Sequence, residues 1–228
     1  MNTNKQKQAG LTLIELVIAL VIFSIIATTA YSGLTQILRA QKALDDQRDI
    51  QMIANSVVSR LSRELQMTTT SARLLPPANS PNKVYPSNVQ LLGESNATGD
   101  SITFVADDAG QYVPDGRTHS GTVQISYRMA KIPEKEKMTD EKVFYLIRDE
   151  IPIINPVDRA YKKRMTFPIT NRLAKLSFRY FNIDQKKWLN EWPANAGTLP
   201  GLVQFNLQLL SPAGKLHTFT STIALKRK

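Results

Sequence analysis

The residue most in need of a chemical account is a carboxylate inside an apolar run. Glu15 is the one charged side chain in the 21 residues from Leu11 to Tyr31, LTLIELVIALVIFSIIATTAY. Apolar surroundings do not solvate an ion, so a carboxylate there needs a counter-charge, hydrogen-bond donors or a place at the headgroup level of a membrane. A cationic partner makes it an assembly device; a headgroup position makes it chemically silent. Other groups capable of chemistry are dispersed. His119 and His217 stand nearly a hundred residues apart without paired spacing, which argues against a metal site or a His-based triad. Absence of Cys excludes a disulfide framework, a thiolate metal site and a Cys nucleophile. Ser80-Pro81-Asn82-Lys83 matches an S-x-x-K string, but in a Pro-rich stretch where no helix presents the pair. Asp107-Asp108 and the carboxylates from Glu134 to Glu141 are interleaved with turns and Lys and read as solvated faces. Asn96-Ala97-Thr98 fits a glycosylation sequon that arises readily by chance. No catalytic set, cofactor or metal is expected.

The elements that must position Glu15 follow from hydropathy. The chain has 228 residues, 29 Lys and Arg against 19 Asp and Glu, and 42% hydrophobic residues, enough for one ordinary domain with a core. Residues 11–31 contain neither Pro nor Gly, and as a helix they span about 30 Å, the hydrocarbon thickness. Lys5 and Lys7 precede them like the basic region of an export signal, yet the run is longer than in such a signal and ends in Ala27-Thr28-Thr29-Ala30, a poor cleavage site. A retained segment is therefore expected, with a buried core helix or a plain single-pass anchor as alternatives. Leu34, Leu38, Leu44, Ile50, Ile53, Val57, Leu61 and Leu65 continue an apolar stripe, and neither Gly nor Pro interrupts the chain between Gly33 and Pro76. One helix to about Met67 is predicted, ended by Thr68-Thr69-Thr70 and Pro76-Pro77. Residues 76–100, rich in Pro, Asn and Ser, read as a surface connection. Beyond Gly99 the period changes to two, with strands expected at 101–106, 122–129, 142–149, 174–181, 202–210 and 217–225. Val123, Ile125, Tyr127 and Met129 share one face, as do Val203, Phe205, Leu207 and Leu209. The expected fold is α+β, a long N-terminal helix packed on antiparallel β-sheets.

Gly10 followed by Leu11-Thr12-Leu13-Ile14-Glu15 resembles the prepilin processing site, a short basic leader ending in Gly before an apolar helix with Glu at its fifth mature position. This is the type IV pilin and type II secretion pseudopilin superfamily, though its usual first mature residue is Phe rather than Leu. The resemblance implies a pilin-like fold, cleavage between Gly10 and Leu11 by a prepilin peptidase/methyltransferase, methylation of the Leu11 amine, and a role for Glu15 in subunit assembly as counter-charge to an N-terminal amine. It also implies a division into leader 1–10, transmembrane helix 11–31, periplasmic continuation of that helix 32–75, connection 76–100 and β-rich part 101–228. Localisation follows: a single pass of the bacterial inner membrane, N-terminus cytoplasmic and C-terminal domain periplasmic.

Near the other end, Trp188, Trp192-Pro193 and Leu199-Pro200 follow the LSFRYFN strand and resemble the J-type minor pseudopilins of type II secretion systems. That resemblance implies a structural, non-enzymatic subunit at the filament tip. Its expected partners are the I, K and H types of minor pseudopilin, the major pseudopilin and the inner-membrane assembly platform. A minor type IV pilin for adhesion or DNA uptake is the alternative, and a membrane-anchored periplasmic enzyme or binding module a further one. Charge is uneven: residues 159–228 hold 13 Lys and Arg against 2 Asp and Glu, whereas residues 71–158 hold 9 against 12. The basic end suits an acidic partner or anionic headgroups as well as plain solvation, and the missing aromatic interleaving makes nucleic acid an unlikely ligand.

Overall fold

The computed structural model describes residues 12–69, 90–96, 99–107, 109–110, 121–136, 142–152, 164–194 and 196–225. Two compact units divide the chain, Met1–Asp46 and Gln47–Lys228. Helix α1 runs Leu13–Gln66. In the first unit nearly all of its residues are exposed, among them Leu13, Ile18, Phe23 and Ile26. The apolar stripe read from the sequence divides accordingly: Leu34, Leu38 and Leu44 are exposed, whereas Ile50, Val57, Leu61 and Leu65 are buried.

The second unit is an α+β domain. Ile50, Ala54, Val57, Leu61 and Leu65 recur at three or four residues, so they fall on one helix face. They share a core with Phe104, Tyr127, Phe178, Tyr180 and Phe205. The sheet comprises β1 (Leu91–Asn96), β2 (Gly99–Ala106), β3 (Val123–Lys131), β4 (Phe144–Pro152), β5 (Met165–Asn182), β6 (Lys187–Leu189), β7 (Leu202–Leu210) and β8 (Leu216–Ala224). It is antiparallel in the order β1-β2-β3-β4-β5-β7-β8, with β6 also paired to β5. Alternation does what the sequence leads one to expect: Val123, Ile125 and Tyr127 turn inward, and Val203, Phe205, Leu207 and Leu209 are wholly buried.

Two features differ from the sequence expectation. The stretch 76–100, read as a connection, contains β1, whose residues LLGESN have poor strand propensity. Packing overrides propensity there: a Cβ on Gly93 would come within 2.2 Å of the Tyr180 ring, so only glycine lets that ring lie on the strand. Gly93 also exchanges both backbone hydrogen bonds with Trp192, each at 3.0 Å. Because β6 pairs with β5 and Trp192 follows β6, this contact curls the sheet until its first strand meets the far side. Second, β5 begins at Met165, not near 174. Pro168, which lacks an N–H, hides this half from a strand search, and the register against β4 shifts there from Ile147↔Pro168 to Leu146↔Thr170. α1 ends at Gln66, beside the predicted stop near Met67, and the chain then pairs with the end of β2: Thr69 N–H donates to Val105 C=O at 2.9 Å and Asp107 N–H to Met67 C=O at 3.1 Å.

A buried ionic cluster ties the end of α1 to the sheet. Glu64 accepts from Tyr127 Oη at 2.6 Å and from Arg148 Nε at 3.0 Å. Arg148 Nη1 donates to Glu150 at 2.5 Å and Nη2 to Ala109 C=O at 3.1 Å. All four residues are at most 1% exposed. Burial works against the Arg148 charge, but the Glu64 carboxylate and hydrogen bonds to Glu150 and Glu64 outweigh it and hold the guanidinium above its ordinary value.

Candidate functional site

Glu15 lies in the first turn of α1, and its carboxylate is already engaged. Oε2 accepts from Thr12 N–H and from Thr12 Oγ1, both at 2.9 Å, while Thr12 Oγ1 faces Glu15 N–H at 3.4 Å. Thr12 is thus the N-cap and Glu15 the third helical residue of a capping box, which gives partners to donors that a helix start leaves unpaired. The negative charge also sits at the positive end of the helix dipole. Thr12 is the site residue that the sequence reading missed. Its signal was present as Thr-x-x-Glu before an apolar run. Glu15 Oε1 carries no hydrogen bond among the described residues, so the carboxylate keeps an oxygen for a further donor.

The rest of the segment is built to satisfy its own polar atoms. Ser24 Oγ donates to Leu20 C=O at 2.7 Å, Thr28 Oγ1 to Ser24 C=O at 2.7 Å, and Thr29 Oγ1 to Ile25 C=O at 3.0 Å. Each of these three hydroxyls is therefore bonded within its own helix, as a hydrocarbon environment requires. Helix α1 is long and apolar enough to cross a membrane, and none of its apolar window is buried.

Gly10 and Leu11, expected at the processing site, lie outside the described residues. So do His119, Asp108, Ser80, Lys83 and Lys162-Lys163. Asp107 accepts from Thr122 Oγ1 at 2.6 Å, Glu136 from Tyr145 Oη at 2.7 Å, and His217 stands on β8. Among the described residues no three His, Asp or Glu side chains come together as a metal-holding group. Trp192 is 2% exposed and donates through Nε1 to Thr198 C=O at 3.1 Å, whereas Trp188 lies on β6 with the Arg179 guanidinium 5.5 Å from its ring centre. The two Trp therefore serve sheet closure and surface packing.

No curated protein matches the chain. Residues 5–31 match the prokaryotic N-terminal methylation motif, a range that includes Lys5 and Lys7, the capping box and the apolar part of α1. That match supports a type IV pilin-like or pseudopilin class.

Proposed function

We propose that this chain is a minor pseudopilin of a type II secretion system, similar to the J type, which joins other minor pseudopilins at the pseudopilus tip and starts assembly for protein secretion. The observation that carries this reading is the methylation motif at 5–31 falling on an exposed apolar helix that begins at a Thr12–Glu15 cap. In this reading a prepilin peptidase/methyltransferase cuts between Gly10 and Leu11 and methylates the Leu11 amine. The helix then holds the subunit in the inner membrane with its domain in the periplasm. Glu15 accepts the amine of a neighbouring or its own N-terminus through the oxygen that Thr12 leaves free, and the domain selects partners among the I, K and H types, the major pseudopilin and the assembly platform. The mechanism is non-covalent.

Processing is tested by N-terminal sequencing and intact mass of the membrane fraction. The expected product begins at Leu11, carries one extra methyl group and retains the helix. An N-terminus beyond Tyr31, or an intact Met1 beside an active peptidase, overturns the reading. Assembly is tested with Glu15→Leu, which should insert and be cleaved like the parent but lose co-purification with minor pseudopilins. Thr12→Val, which keeps the carboxylate and the backbone donor, should lose much less. A chromosomal deletion separates the two filament classes: protein secretion should fail while pili remain. Loss of pili with secretion intact would instead identify a minor type IV pilin.

A further inference from the structure

The sheet path has two ends, and the chain treats them differently. β1 is closed by the Trp192 backbone, while β8 pairs with β7 alone among the described residues. The β7–β8 ladder is unbroken from Leu202↔Ala224 to Leu210↔Leu216, so no bulge turns the edge away. Hydrogen bonds just beyond both ends fix its phase: Ser211 N–H donates to Lys215 C=O at 2.8 Å, and Leu225 N–H to Gly201 C=O at 3.1 Å. Antiparallel pairing uses alternate residues, so Leu216, Thr218, Thr220, Thr222 and Ala224 direct N–H and C=O away from β7. The same five are exposed. From Leu216 to Leu225 there is no Pro, Lys, Arg, Asp or Glu. Among the described residues, neither Pro, a charge nor a bulge within β8 blunts this edge.

Charge decides what can occupy it. Lys215 precedes the strand, and Lys226-Arg227-Lys228 directly follow Leu225 in the chain. A second copy added antiparallel would set each Lys215 toward the other copy's basic triplet, and a parallel one would align like with like, so self-pairing is repelled in both directions. We propose that the free edge of β8 receives an extended segment of a different protein, a neutral Thr- and Val-rich strand flanked at both ends by Asp or Glu. Main-chain hydrogen bonds supply the attraction, the Thr218, Thr220 and Thr222 side chains match hydroxyl or β-branched neighbours, and the basic flanks select acidic ends. This surface lies wholly in the second unit and does not depend on the function proposed above.

The test is residue-resolved amide exchange on the full-length chain in detergent micelles, with a synthetic peptide, Asp-Glu-Val-Thr-Val-Thr-Val-Asp-Glu, and its counterpart carrying Lys in place of each acidic residue. The acidic peptide should slow exchange at Thr218, Thr220 and Thr222 by about tenfold or more, and the basic one should not. High salt should reduce the difference between them. Thr220→Pro removes one outward N–H and leaves the β7 side of the ladder intact, so it should abolish the effect without loss of the folded near-ultraviolet dichroism. No slowing, or equal slowing by both peptides, overturns the proposal. Slowing in the free protein also overturns it, assigning the edge to the chain's own segments if independent of concentration and to a second copy if it grows with concentration.

Discussion

Arg148 illustrates how much one side chain decides in the second unit. Wholly buried, it spends its donors on Glu64, Glu150 and the Ala109 carbonyl, and lies 5.9 Å from the centre of the Phe167 ring. Removing it leaves two buried carboxylates without their shared cation. Arg148→Met should therefore destabilise the domain by about 3 to 5 kcal/mol, read as a shift of the urea midpoint. Tyrosines give a second test. Burial, the Glu64 charge and the hydrogen bond to Glu64 push the Tyr127 hydroxyl well above its ordinary value, and burial with Asp100, Glu191 and Glu94 does the same for Tyr180. A raised folded pKa means that the folded state holds the proton more tightly, so the contribution is full below the unfolded value and is lost as pH rises above about 10. Urea midpoints should fall from about pH 9 to pH 11, and the fall should be shallower in Tyr127→Phe. A pH-independent midpoint over that range would show that neither hydroxyl resists ionisation. None of this cluster was legible beforehand, because Glu64 and Arg148 stand 84 residues apart and each reads alone as a surface charge.

At the scale of elements, legibility follows the strength of the local pattern. α1 and the strands β2, β3 and β7 announce themselves through period and length, since their inward faces are nearly continuous apolar sets, whereas β4 buries Arg148 and Glu150 and β8 carries His217 and Ser221 on its less exposed face, so only their length and alternation mark them. β1 and the first half of β5 do not, because Gly93, Glu94 and Pro168 contradict strand propensity and only distant partners make them extended. The candidate site was half legible: Glu15 is conspicuous by its charge, whereas Thr12 looks ordinary until the helix start is located. Gly93→Ala tests the account of β1. Its methyl would collide with Tyr180, so the substitution should cost about 1 to 3 kcal/mol even though Ala is otherwise compatible with a strand. Pairing it with Tyr180→Ala should relieve the collision, and strictly additive losses would contradict it.

For the molecule as a whole, the division into Met1–Asp46 and Gln47–Lys228 carries a prediction. The five core residues of α1 all lie beyond Asp46, so deletion of residues 1–31 removes none of them. The remainder should be a soluble, folded domain with mixed helix and strand dichroism and cooperative urea unfolding, without metal or reductant. Aggregation would mean that the apolar segment does more than anchor. Sheet closure has one further consequence, in time rather than in space. The backbone pair that shuts the sheet joins Gly93 to Trp192, and the helix end meets partners on strands encoded far downstream. Contacts so distant along the chain make folding slow, because loop-closure entropy must be met before they reward it. While the polypeptide is still being made, the apolar face of Ile50 to Leu65 lacks the core partners that β7 supplies. The molecule therefore passes through an interval in which it is vulnerable to aggregation, and that interval ends only when the chain has been made through β7.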